Sequence, residues 1–209
     1  FTFVAIYLID KLGRKPLLII GTSAMAIALS MATIAFNNAS YSFNETTISK
    51  VGNDEIKTAL TVLDGTTYSS QNELFNNVEP LLTDTQFIQF QQNEVKNFIS
   101  INATLVLIAI LLYVAAFAIS LGPVMWTMLS EIFPGNVKGI AISIVGFFNS
   151  LVSYTVTQFF PWELTNLGPT ITFAIYAGMA VLSILFVYKY VIETKGKTLE
   201  EVQELLIKS

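Results

Sequence analysis

Three groups of residues in this chain have types and spacings that can do chemistry. The first is Gly122-Pro-Val-Met-Trp126, inside a long uncharged run. Pro123 has no N–H, and its ring crowds the carbonyl four residues back, so a helix must kink or break there. In an apolar medium, broken backbone is tolerated where it lines a cavity. Trp126, one turn beyond Gly122, can turn its indole toward such a cavity. It offers a flat apolar face and one N–H donor, which suits the C–H face and hydroxyls of a sugar. A belt of interfacial aromatics is the competing reading, but Trp126 lies deep within the uncharged stretch.

The second group lies on the next apolar run. Ser143, Gly146, Ser150, Ser153 and Thr157 recur at spacings of three and four and so share one helical face. Close helix packing is the plain reading of such a stripe. Asn149 beside it is different. A carboxamide in mid-span needs partners, and it can give donors and acceptors to a hydroxylated ligand.

The third group is charged. Asp10-Lys-Leu-Gly-Arg-Lys-Pro16 is a tight turn between two helices, permitted by Gly13, with Pro16 suited to the first turn of the second helix. Asp10 beside Arg14 can make a charge-assisted, bidentate bond. The turn can equally be a basic anchor that fixes topology. Glu131 and Lys138 bracket a later turn, either as boundary markers or, with Arg14, as a network that opens and closes. Glu193-Thr-Lys-Gly-Lys-Thr-Leu-Glu-Glu201 comes after the last apolar run, with Thr198 and Glu201 spaced as a capping box.

The elements that must position these groups are apolar. Of 209 residues, 53% are hydrophobic and 12% charged, about half the charge of a soluble domain. Between Lys96 and Lys189 only Glu131, Lys138 and Glu163 carry charge. That excludes a soluble globular enzyme and a disordered chain. The acidic balance excludes nucleic-acid binding. With neither histidine nor cysteine, disulfides, Cys/His metal sites and His-based triads are also excluded.

A spanning helix needs about 20 mostly apolar residues. Segments 17–36, 139–161 and 169–191 each meet that, and 97–130 is uncharged for longer than a single span needs, its apolar heart beginning near Ala103; none shows the alternation of a barrel strand. Segment 1–9 reads as the tail of a further span whose earlier part is missing. Membrane lipid is therefore an expected partner. Residues 37–100 form a polar, acidic segment with weak helical periodicity over 78–98 and little structure expected elsewhere. The sequons at Asn38 and Asn44, and at Asn102 just after the segment, are cheap matches in so Asn- and Thr-rich a stretch. The 193–209 tail reads as a solvated amphipathic helix, with Leu199, Val202, Leu205 and Leu206 on one face. The basic turns at 10–15 and 131–138 and the tail fall on one membrane side, which should be cytoplasmic; the acidic loop and the turn 162–168 then face out.

Taken in order, Asp10-Lys-Leu-Gly-Arg-Lys-Pro, Gly122-Pro-Val-Met-Trp, Ser130-Glu-Ile-Phe-Pro, Lys138-Gly-Ile-Ala and Glu193-Thr-Lys-Gly-Lys-Thr-Leu-Glu-Glu resemble the sugar porter family of the major facilitator superfamily. The run from Tyr113 to Pro123 is especially similar to bacterial xylose–proton symporters, within the xylose/arabinose group. The resemblance implies an all-α membrane protein, the C-terminal portion of a twelve-helix fold. Residues 1–36 would be the end of helix eight, the charged turn and helix nine. Residues 37–100 would be a long extracytoplasmic loop, 101–192 helices ten to twelve, and 193–209 the cytoplasmic tail.

It further implies that Phe117, Gly122, Trp126 and Asn149 bind substrate and that Asp10, Arg14, Glu131, Lys138 and Glu193 form a cytoplasmic gate. The activity implied is secondary transport of a pentose or hexose by alternating access across the plasma (bacterial inner) membrane. A proton is the implied coupling ion, with no metal, no other cofactor and no enzymatic activity. The missing N-terminal half is the implied partner. A facilitative uniporter is the alternative, and a transporter-like sensor a remoter one, because its long cytoplasmic tail is lacking. Three positions depart from the family pattern: Ile192 for proline, Lys138 for arginine, and Ser150 where tryptophan is common. Lysine gives up the bidentate geometry of arginine, and Ser150 opens the pocket. The 37–100 loop is also longer than in the xylose symporters.

Overall fold

The computed structural model describes residues 7–9 and 11–208, so Asp10 and the segment 1–6 lie outside the described residues. Four stretches are long and apolar enough to cross a membrane: Arg14–Asn37 (α1), Ala103–Ile132, Lys138–Asn166 and Pro169–Tyr190. The second is two helices, Ala103–Ile119 and Leu121–Ile132.

The start of α1 shows how local sequence sets an element. The first N–H groups of a helix have no intrahelical partner. Here those of Arg14 and Lys15 donate to the Glu193 carboxylate at 2.9 and 3.0 Å, and Pro16 in the same turn has no N–H to satisfy. Gly13 precedes them with φ 94°, a backbone that L side chains rarely adopt. A Cβ there would also lie 2.6 Å from a Glu193 oxygen.

Between α1 and the next span lies a folded module. Strand β1 (Ser40–Ser42) is central in a three-stranded antiparallel sheet, between β2 (Thr67–Tyr68) and β3 (Ile99–Ser100). Tyr41 pairs with Tyr68 on one side and Ile99 on the other. Short helices α2 (Glu45–Ile48), α3 (Asp54–Leu60), α4 (Gln71–Val78) and α5 (Asp84–Gln89) surround it. Asn44, Asn53 and Ser70 cap the first three through their side chains. Phe43, Ile56, Leu60, Leu74, Val78, Phe90 and Phe98 form a fully buried core. Little structure was to be expected here outside 78–98; the structure corrects that. The apolar residues are spread over elements of two to eight residues, too short to show a period.

The remaining helices are α6 (Ala103–Ile119), α7 (Leu121–Ile132), α8 (Lys138–Asn166), α9 (Pro169–Tyr190) and α10 (Leu199–Lys208). The first spanning helix packs along both α6 and α9. Leu17, Leu18, Val124, Met128 and Val187 join α1, α7 and α9 near one end. Helix α8 runs through Pro161 to Asn166, so the turn expected at 162–168 shortens to Leu167 and Gly168. Glu163 is thus in a helix, where it accepts the Tyr176 hydroxyl at 3.0 Å. Thr198 and Glu201 make the expected reciprocal cap of α10. Val202 of that helix is buried, while the side chains of Leu205 and Leu206 lie outside the described residues.

Candidate functional site

At one end of the helices the charges gather. The Arg14 guanidinium makes a fork with Glu131, Nη2 to Oε1 at 2.7 Å and Nε to Oε2 at 3.2 Å. Such bidentate pairs are stronger and more directional than single contacts, and this one is mostly shielded, with side-chain exposures of 13% and 26%. Thr194 donates its hydroxyl to the same Glu131 carboxylate, at Oε2, at 2.6 Å. Glu193 accepts from three backbone N–H groups, those of Arg14, Lys15 and Lys195. Partial burial alone pushes its carboxyl up, but the three donors and the Arg14 charge outweigh this and hold it below its ordinary value. One arginine thus fastens α1, α7 and the segment after α9 to each other.

Of the sequence-indicated gate residues, Arg14, Glu131 and Glu193 come together. Lys138 opens α8 and makes no ion pair with this group among the described residues. Thr194 was not foreseen. Its signal was position alone, next to Glu193 in a charged string.

The second site lies within the span that breaks. Helix α6 ends at Ile119, and Ser120 takes φ −115° and ψ −91° before α7 begins. Pro123 falls in the first turn of α7, where its missing N–H costs nothing. The break therefore comes three residues before the proline rather than at it. Gly122 faces the Phe117 ring: a Cβ on it would meet Phe117 Cε1 at 3.6 Å and the Phe117 carbonyl at 3.3 Å. Across the gap, a Cβ on Gly146 of α8 would lie 3.9 Å from the outer edge of the Trp126 indole. Phe117 and Trp126 remain 48% and 45% exposed. Asn149 follows Gly146 by three residues on α8 and is exposed, as are Ser143, Ser150, Ser153 and Thr157 of the small-residue stripe.

Of the four indicated binding residues, Phe117 and Gly122 meet at the α6–α7 break, Trp126 lies near Gly146 of α8, and Asn149 is exposed about one turn further along α8. They offer two aromatic rings, one indole N–H and one carboxamide, with no ionisable group. A separate cavity of about 700 Å³ lies among α1, α6, α8 and α9. Its lining is mostly aliphatic and aromatic and includes none of these four.

Known proteins resemble the chain over most of its length. The family model described as "Sugar (and other) transporter" matches residues 1–51 and 82–206, leaving out much of the module between α1 and α6. The D-xylose-proton symporter of Escherichia coli (strain K12) is 31% identical over 98% of this chain and 30% of its own length. Solute carrier family 2, facilitated glucose transporter member 10 of Xenopus tropicalis is 27% identical over 97% of the chain and 41% of its own. The inward-open structure of the xylose transporter XylE from E. coli superposes with a TM-score of 0.64 at 32% identity, covering 98% of this chain and 32% of that one. The chain thus spans about a third of the length of the curated relatives it matches.

Proposed function

Since the chain belongs to the sugar transporter family, and its fold is the major facilitator fold, we propose that it supplies one wall of the sugar path and part of the cytoplasmic gate of a monosaccharide carrier. The observation that carries this is the α6–α7 break. It sets the Phe117 ring against Gly122 and leaves the Trp126 indole near Gly146; in this reading Asn149, about one turn along α8 from Gly146, completes an uncharged site. A pentose or hexose stacks its C–H face on the Trp126 indole, and the Asn149 carboxamide exchanges hydrogen bonds with its hydroxyls. Binding at a broken helix between two bundles lets one bundle rock against the other around a fixed ligand. The Arg14–Glu131 fork and the Glu193 contacts, on the cytoplasmic side, hold that side shut while the site faces out.

In this reading the carrier is an integral plasma-membrane protein with its C-terminus in the cytoplasm, and transport is sugar–proton symport. Among the described residues, two carboxylates at the ends of these spans already have partners: Glu131 holds Arg14 and Thr194, and Glu163 accepts from Tyr176. In this reading the coupling carboxylate belongs to the rest of the carrier. Facilitative uniport is the second reading, favoured by the resemblance to a facilitated glucose transporter. Sugar-driven alkalinisation of the medium distinguishes the two.

The test is uptake of labelled xylose, arabinose and glucose by cells expressing the full-length carrier. Trp126→Ala is expected to abolish uptake at unchanged membrane insertion. Undiminished uptake by that variant would overturn the reading.

A further inference from the structure

Gly21 of α1 is buried, and nothing in its own helix explains why it is glycine. Its neighbour across the helix interface does. A Cβ built on Gly21 would lie 1.8 Å from Ser120 Oγ and 2.1 Å from Ser120 Cβ, and 3.3 Å from the Ala116 carbonyl oxygen. Non-bonded atoms do not approach that closely, so any side chain at 21 displaces Ser120. Ser120 is the single residue between α6 and α7 and is fully buried. Its hydroxyl and its N–H both go to Ala116, at 2.7 and 3.1 Å, while its carbonyl accepts the Val124 N–H at 3.0 Å and so begins α7.

We infer that Gly21 is a positioning residue: its bare α-carbon seats Ser120, pins the break between α6 and α7, and so sets how the Phe117 ring stands relative to Trp126. Three residues before Ser120 is Phe117, and six after it is Trp126. Shifting the linker by the ångström or more that a methyl at 21 demands moves the two rings relative to each other. Ser120 is held by its own hydroxyl on Ala116, and its N–H is shared with the Phe117 carbonyl at 3.3 Å, so a shift of Ser120 is passed to Phe117 through the backbone. The inference rests on the proposed function for what the rings bind, but not for the seat itself.

The experiment uses the full-length carrier and has two readouts. The first is the KM and maximal rate of monosaccharide uptake, normalised to inserted protein. The second is independent of sugar: the rate at which a maleimide labels a reporter cysteine in a Phe117→Cys background, in which uptake is not scored. Gly21→Ala is expected to lower uptake by about tenfold or more and to change the labelling rate several-fold. Adding Ser120→Gly removes both atoms in the clash and is expected to restore both readouts. Gly178→Ala is the control, because a Cβ there meets nothing within 4 Å; it is expected to match the parent.

A Gly21→Ala carrier that labels and transports like the parent would overturn the inference. So would a double variant that restores neither readout. Should Gly21→Ala fail to insert, the double variant decides: recovered insertion with parental labelling supports the seat, and continued failure sinks it. If the parent takes up no monosaccharide, the proposed function falls, while the labelling rates still judge the seat.

Discussion

At the scale of single residues, Glu193 is the one whose chemistry depends on pH in a way that can be worked out. Its two oxygens accept the Arg14 and Lys15 N–H groups that α1 leaves over at its start, and a third donor comes from Lys195. Its carboxyl is held below its ordinary value of 4.5. A depressed folded-state value means that ionised Glu193 adds stability above the unfolded value, and that this is lost as pH falls through the folded one. Glu193→Gln turns one acceptor into an N–H₂ facing a backbone N–H. At pH 7 it is expected to destabilise the purified full-length carrier by about 1 kcal/mol, modest because solvent screens a part-exposed group. Thermal unfolding across pH checks this. The gap between parent and variant is expected to stay constant from pH 8 to about 5 and to close below about 4; an equal gap at both ends would show that the charge plays no part. Trp126 and Asn149 could be singled out as candidates from the sequence because polar or aromatic tips stand out in an apolar run. Gly21 was not: it is one small residue among several on α1, and the atom that demands it is 99 positions away.

The same contrast holds among elements. The four spans could be read directly, since an uncharged apolar run of membrane length has few other uses. The place where the second span breaks could be read only to within a turn, because a proline is tolerated just inside a helix start and so marks the start of α7, not the break itself. The module between α1 and α6 escaped the sequence, since its core is assembled across short strands, turns and caps. It has the means to fold alone. Residues 38–100 bring their two ends together through the Ser40–Ser100 pairing, and domains of about 60 residues can fold independently when their core is good. Expressed as a soluble fragment, 38–100 is expected to unfold cooperatively with a near-ultraviolet signal from its packed aromatics. Leu60, fully buried, is the sharpest probe: Leu60→Ala is expected to cost about 3 kcal/mol. A fragment that melts without a transition would mean that the spans hold the module in shape. Its side-chain hydrogen bond to α8, Gln71 Nε2 to the Leu164 carbonyl at 3.3 Å, is too slight for that.

For the whole molecule, α8 poses the largest question of balance. It is 29 residues long, and none of them is buried. One side carries Ile144, Phe147, Phe148, Leu151 and Val152, all more than 45% exposed, as a lipid-facing helix would. The other carries Ser143, Gly146, Ser150, Ser153 and Thr157 with Asn149 beside them. A stripe of small residues lets another backbone approach closely, yet among the described residues only Trp126 nears Gly146 and Thr157 borders the cavity among α1, α6 and α9, and most of the stripe is left uncovered. Relatives about three times as long have the chain to do so. We propose that this face is covered by the remainder of the carrier, leaving a water-filled gap at Asn149 and Trp126 for sugar. Co-expressing this chain with the rest as a separate polypeptide is expected to give a complex that co-purifies and takes up sugar. Ser153→Trp fills the face and is expected to reduce recovery of the complex several-fold. Leu185→Trp, on the 59% exposed surface of α9, is expected to leave recovery unchanged, because lipid accommodates an indole where a fitted protein surface cannot. Equal recovery with the two substitutions would place the stripe against lipid and leave the sugar path without its second wall.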